Sequence, residues 1–213
     1  MEARCGMGGS RMKVLDLFSG LGGFSEAFLL AGDEVVRVEN NPLLSEVPAT
    51  TQQDVLAIRD RLHVFHAQGQ PIRSCDVLLA APPCREFSGG FSSPKSIASR
   101  KGTLDEYEPS MELLEATLDI IRIVKPRYWV IENVVGSIRY FKEYGLEPRQ
   151  IHGAHVLYGN FPMFQCGELP TKASKDVHSS NPLRANHKAL IPFALSNQLR
   201  RAIVEQKTLY CDY

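Results

Sequence analysis

The sequence has no excess of charge: among its 213 residues, 24 Lys and Arg balance 24 Asp and Glu. A chain that grips nucleic acid through bulk electrostatics is basic, so any such footprint here must be a local patch. No apolar run reaches the roughly eighteen residues of a membrane span, so no membrane partner is expected. The N-terminal MEARCGMGGSRM lacks the apolar core of a secretory signal, which points to a cytoplasmic protein. The five cysteines, Cys5, Cys75, Cys84, Cys166 and Cys211, form neither a CxxC pair nor a Cys/His cluster. No metal site is therefore expected, and a scattered odd set fits free thiols in a reducing compartment. Internal repeats are absent.

What remains is ordinary globular material, 44% hydrophobic and 23% charged, enough for one substantial core. Residues 1–11 are Gly-rich and read as a loose tail, and 12–213 as a single domain. Apolar, β-branched runs at Lys13–Phe18, Glu34–Glu39, Asp76–Ala81, Arg127–Glu132 and His155–Tyr158 read as strands. Helical stretches are expected at Phe24–Ala31, stopped by Gly32, and around Val55–Ala67. Another runs over Ser110–Val124, with Ser110 as N-cap, and a last one over Ala194–Gln206. Phe87–Pro109 lacks periodicity and reads as a long loop, and Thr171–Lys188 as polar and irregular. Strands alternating with helices predict an α/β fold, a mostly parallel sheet covered on both faces, with ligands at the carboxyl ends of its strands.

The residues with chemistry sit at those strand ends. The first strand runs into a Gly-rich turn, Asp16-Leu17-Phe18-Ser19-Gly20-Leu21-Gly22-Gly23, which lacks both GxGxxG and GK[ST]. Glu39 closes the second strand, where Rossmann-like folds place a carboxylate on ribose hydroxyls. With Asp54-Val55 at a position suited to an adenine edge, the set favours a nucleoside-containing cofactor. Pro82-Pro83-Cys84 ends the third strand; the prolines fix the backbone so that a thiol projects from it. Thiolates attack electron-poor carbon well. Glu132-Asn133 at the end of a later strand supplies a carboxyl able to donate a proton.

Taken in order between Val14 and Gly136, DLFSGLGGF, Pro-Pro-Cys-Arg-Glu-Phe-Ser and Ile-Glu-Asn-Val resemble the DNA (cytosine-5) methyltransferases. The resemblance implies a Rossmann-like S-adenosyl-L-methionine-dependent methyltransferase fold. It implies that Cys84 attacks C6 of cytosine, Glu132 protonates N3, and the methyl group goes to C5. The cofactor would lie against Asp16, Phe18, Ser19, Gly20, Leu21, Gly22, Gly23, Glu39, Asn40, Asp54, Val55 and Pro82, with weaker contacts from Ile191 and Pro192. Pro83, Arg85, Phe87, Ser88, Asn133 and Arg149 would face a DNA base flipped from its stack. Asn133 is expected to fix backbone geometry rather than react. Arg85, Lys95, Arg100 and Lys101, interleaved with Phe87 and Phe91, would meet phosphates and wedge the gap. The setting implied is a monomer in a prokaryotic or phage-infected cell.

Beyond Gly136 the likeness thins. The family's Gln-x-Arg-x-Arg segment has no equivalent: Arg149-Gln150-Ile151-His152-Gly153-Ala154-His155 loses both arginine positions if Gln150 aligns with its glutamine. Residues 140–190 leave room only for a reduced target-recognition region. The closing IPFALS lacks the Gly-Asn-Ser of the last family motif. Other readings stay open: the same chemistry on RNA or single-stranded DNA, a larger group from a modified cofactor, or an accessory protein without turnover. Intact Cys84 and Glu132 argue against the last.

Overall fold

The computed structural model describes residues 11–90, 93–167, 169 and 180–211, with backbone alone for 207–211. The expected tail (except Arg11), Phe91, and the first half of the polar stretch from Thr171 lie outside those residues. β1 (Lys13–Leu17), α1 (Glu26–Leu30), β2 (Glu34–Glu39), β3 (Thr50–Gln52), α2 (Val55–Ala67) and β4 (Val77–Ala80) follow in order. After them come α3 (Pro94–Lys101), α4 (Glu112–Val124), β5 (Tyr128–Val134), α5 (Ile138–Lys142), β6 (Gln150–His152), β7 (His155–Asn160), α6 (Arg184–Ala189) and α7 (Phe193–Cys211).

The strands form one seven-stranded sheet in the order β3-β2-β1-β4-β5-β7-β6. From β3 to β5 every pairing is parallel; β7 runs antiparallel to both β5 and β6. This is a mostly parallel, Rossmann-like sheet, as the sequence pattern implied. Both faces of β4 are apolar and all its residues are buried, because a parallel strand is covered on both sides. Leu78 and Ala80 enter one core with Leu114, Ile120 and Phe141; Val77 and Leu79 enter the other with Phe28, Leu195 and Leu199. α2 and α4 thus cover one face, and α1 and α7 the other.

Several elements differ from the sequence reading. The expected 87–109 loop contains α3, capped by Ser93, whose Oγ accepts from Ser96 N at 3.2 Å, and closed by Gly102 at φ 74. Its polar composition hides it, since only Ala98 is buried. α4 begins one residue later than a Ser110 cap allows, with Met111 in the cap position and no side-chain cap bond. β3 and β6 have only three residues each and owe their existence to β2 and β7, not to an apolar pattern of their own. The segment from 140 to 190 contributes α5, both strands of the β6–β7 hairpin and α6.

Candidate active site

The first βα turn is built from unusual backbone. Phe18 at φ 57, Gly20 at φ 53 and Gly22 at φ 82 all lie in the left-handed region. For a non-glycine such as Phe18 that conformation costs about 1 kcal/mol or more and is held by its surroundings. Here the Ser19 amide donates to Val38 O at 3.0 Å, and the Gly22 amide to Ser19 O at 2.7 Å. Glu39, at the end of β2, closes the turn from the side: Oε2 accepts from the Gly20 amide at 2.9 Å, Oε1 from the Asn41 amide at 2.8 Å.

Beneath the turn lies a buried polar network. Ser25 Oγ donates to Asp16 Oδ2 at 2.6 Å and accepts from Arg37 Nε at 2.8 Å. Arg37, fully buried, also donates to the carbonyls of Gly22 (2.8 Å) and Pro48 (3.0 Å) and to Glu26 Oε2 (2.7 Å). A Cβ at Gly22 would collide with the Arg37 guanidinium, so the glycine is required by close approach as well as by φ. Burial lifts the Asp16 carboxyl to about 7 against the opposing pull of the Ser25 bond and the Arg37 charge. At Gly23 a Cβ would meet the Ile191 carbonyl, so the segment entering α7 is packed directly on the turn.

The thiol and the carboxyl stand on neighbouring strands. β4 ends at Ala80, and Cys84–Glu86 form a single 3-10 turn whose cap residue is Pro83. Asn133, buried in β5, donates from Nδ2 to Pro82 O at 3.0 Å and accepts from the Val134 amide at Oδ1 (2.9 Å). Glu132 Oε1 lies 2.8 Å from His155 Nδ1, both side chains largely buried. Three residues past Cys84, the Phe87 ring meets Tyr140 at a tilt and Phe141 edge to face, at 5.6 and 5.3 Å between centroids. Gly136 lets the Phe87 carbonyl approach where a Cβ would collide. Tyr107 Oη donates to Glu86 Oε2 at 2.6 Å, a bond that, with burial as the larger cause, raises the phenol above its ordinary range.

A cavity of about 210 Å³ opens beside this turn, lined by Pro82, Pro83, Arg85, Glu86, Phe87, Ser110, Leu113, Leu114 and Phe141. A larger cleft of about 590 Å³ lies between Gln150, the 163–165 segment and α7, and none of the expected site residues lines it. The smaller one is lined by four of the expected residues, Pro82, Pro83, Arg85 and Phe87, and by neither Cys84 nor Glu132.

Most of the expected cofactor residues converge on the β1–β2 rim. Ser19 Oγ is buried and has no hydrogen-bond partner among the described residues, an unmet polar atom that suits a ligand group. With the Glu39 carboxylate beside it, the turn fits a nucleoside-containing cofactor such as S-adenosyl-L-methionine. Other residues depart from their expected roles. Asp16 is fully buried and braces the turn from beneath through Oδ2, while its Oδ1, like Ser19 Oγ, has no hydrogen-bond partner among the described residues. Asp54 caps α2, its Oδ1 accepting from Leu56 N at 2.8 Å, and the Val55 side chain belongs to the core. Phe87 is 5% exposed and locked among aromatics, so it is no free wedge. Arg149 donates from Nε to Phe161 O at 2.6 Å and stacks over the Phe161 ring. Pro83 and Arg85 are exposed, Leu21 and Ser88 half-buried, and Asn40 exposed beside Glu39. The sequence reading missed His155, whose role is visible only once β7 is laid against β5, and Asn186, which approaches Gly20.

The model of the C-5 cytosine-specific DNA methylases matches residues 12–144, well over half the chain. The chain belongs to the C-5 cytosine-specific DNA methylase family. Among curated relatives, the Type II methyltransferase M.DdeI of Desulfomicrobium norvegicum is 27% identical over 130 residues, 60% of this chain and 29% of that one. M.AquIA of Picosynechococcus is 30% identical over 143 residues, 63% of this chain and 53% of that one. The chain thus spans between about a third and a half of the length of these methylases. A solved structure, a putative DNA modification methyltransferase encoded within an E. coli prophage, is 19% identical with a TM-score of 0.43, covering 70% of this chain and 45% of that one. In this chain the family match takes in the glycine turn, Pro82-Pro83-Cys84 and Glu132-Asn133, and ends before the β6–β7 hairpin that carries His155.

Proposed function

We propose that this methylase transfers a methyl group from S-adenosyl-L-methionine to C5 of a cytosine in DNA, with Cys84 as nucleophile and Glu132 as proton donor. The observation that carries the proposal is the Asn133–Pro82 hydrogen bond of 3.0 Å, which ties the strand end bearing the carboxyl to the turn bearing the thiol. Cys84, on a backbone restricted by two prolines, attacks C6 as a thiolate. Electrons move toward the ring, and Glu132 offsets that charge by giving a proton to N3. The 5,6 bond is thereby saturated and C5 becomes nucleophilic. The cofactor, when bound, supplies an electrophilic methyl group. Ser19, Gly20, Leu21 and Glu39 would hold it, with Ile191 and Pro192 closing against Gly23. Loss of the C5 proton to a base or water then expels the Cys84 thiolate and restores the ring.

Reaching C6 requires the base outside the duplex. Arg85, exposed beside Cys84, would meet the backbone of an extruded nucleotide. Residues 12–213 are proposed to act as one catalytic unit, with 140–190 as a reduced target-recognition region. The test is incubation with cofactor and DNA containing 5-fluorocytosine, whose C5 fluorine cannot be abstracted as a proton. A covalent adduct should form with the native chain and be absent in Cys84→Ser. No adduct on duplex or single-stranded DNA refutes the proposal.

A further inference from the structure

Two imidazoles meet on the β6–β7 hairpin, His152 and His155, which are paired across it. His155 lies opposite Val134, so on the same face it is a diagonal neighbour of Glu132, two residues earlier on β5. The geometry closes a hydrogen bond of 2.8 Å between His155 Nδ1 and Glu132 Oε1. Their side chains are only 17% and 12% exposed. His152 is different: it stacks on Phe164 at 5.0 Å, its Nε2 is buried with no partner among the described residues, and burial and then His155 lower its affinity for a proton. It stays neutral, contributing shape and no charge.

We propose that His155 is the positioning residue for Glu132: its Nδ1–H holds Oε1, so that Oε2 carries the proton delivered to N3 of the target cytosine. The inference rests on the cytosine-5 chemistry proposed above. In the acid form, Glu132 keeps its proton on Oε2 and accepts from His155 on Oε1. Transfer to N3 leaves a carboxylate, and the same Nδ1–H···Oε1 bond becomes charge-assisted and stronger. The stabilisation therefore grows as the proton leaves, which is the requirement for a group that lowers a barrier. The proton returns from N3 when the ring is restored, and His155 undergoes no net change. An arginine in such a place would hold a permanent charge against Glu132 and favour the carboxylate throughout; an imidazole can donate one hydrogen bond without carrying a charge. The chain lacks the arginine segment that resemblance leads one to expect, and His155 is the group that stands against the carboxyl instead.

Other groups around this pair bear on any pH dependence. These are Glu132 itself, His152 on β6, Tyr158 on β7 with its hydroxyl 3.0 Å from Ser137 Oγ, and Glu147 ahead of β6. Tyr158 is kept protonated chiefly by burial, so it does not titrate near neutrality.

The experiment measures the rate of adduct formation on 5-fluorocytosine DNA against pH, together with cofactor affinity, for His155→Phe and His155→Asn. His155→Phe keeps the ring shape but removes the donor. It should lower the adduct rate about ten- to a hundredfold at neutral pH. Its alkaline limb should move up by about one pH unit, since the carboxylate loses a donor. His155→Asn, with an amide N–H near the Nδ1 position, should recover most of the rate and the native pH profile. Cofactor affinity should be unchanged in both. A His155→Phe chain with native rate and profile overturns the proposal. So does a His155→Asn chain that binds cofactor normally yet behaves like His155→Phe; where His155→Phe fails to bind cofactor, His155→Asn decides alone. Absence of adduct in the native chain instead refutes the cytosine-5 reading itself.

Discussion

Asn133 Nδ2 reaches the carbonyl of Pro82 at 3.0 Å, so the residue beside Glu132 fastens the turn that carries Cys84. Both strand ends are thereby set by one buried amide, which also satisfies the Val134 N–H.

Asn133→Ala leaves the Pro82 carbonyl and the Val134 amide without this partner. A stability loss of about 1–3 kcal/mol is expected, readable by denaturant unfolding. The adduct rate on 5-fluorocytosine DNA should fall by about tenfold or more at saturating cofactor. A variant with native adduct rate would show that thiol and carboxyl are aligned by other means.

Tyr107 bridges from the segment after α3 back to Glu86, two residues past Cys84. Tyr107→Phe keeps the ring and deletes that bond. Expected is a raised KM for DNA with little change in cofactor affinity or melting temperature, because the bond holds a peripheral segment. Equal losses in DNA and cofactor binding would contradict that role.

Gly136→Ala places a methyl group where the Phe87 carbonyl now sits. Backbone must yield, at an expected cost of about 1–3 kcal/mol. Adduct formation should suffer more than cofactor binding does, since the glycine turn of β1 is untouched. Isothermal titration with cofactor and adduct kinetics on the same preparation separate the two.

Asp16 gives a pH signature of its own. Its carboxyl rises from 3.8 to about 7 on burial, so the folded state binds a proton the unfolded chain has released. The stability contributed by that proton is fully present below pH 3.8 and is lost as pH rises through about 7. Asp16→Asn, which cannot ionise, should flatten the slope of unfolding free energy over this window. Persistence of the native slope would move its origin elsewhere.

The strands that carry the site were legible because each is a short buried run that ends at a residue or turn with an evident chemical role. Leu17 precedes the glycine turn, Ala80 lies just before Pro82-Pro83, and Glu39 and Glu132 are themselves the proposed site residues. Composition alone suffices for a strand covered on both sides. α3 was not legible, because its only buried residue is Ala98 and its remaining side chains are those of a solvated loop. Phe87 illustrates a different gap. An aromatic two residues past the Cys84-Arg85 pair suggests a wedge, yet its surroundings, Tyr140 and Phe141, come from α5 more than fifty positions away. His155 escaped for the same reason: nothing near it in the sequence announces Glu132, and only the antiparallel register of β5 and β7 makes them neighbours.

The Arg37 guanidinium occupies the space that a methyl group at position 22 would need. Descent therefore imposes an order on change at these two sites. A lineage that keeps arginine at 37 is confined to glycine at 22, and after 37 has become small the left-handed backbone at 22 is the constraint that remains. Substitutions at the two positions should be read, in any set of descendants, as one event with a fixed sequence of steps.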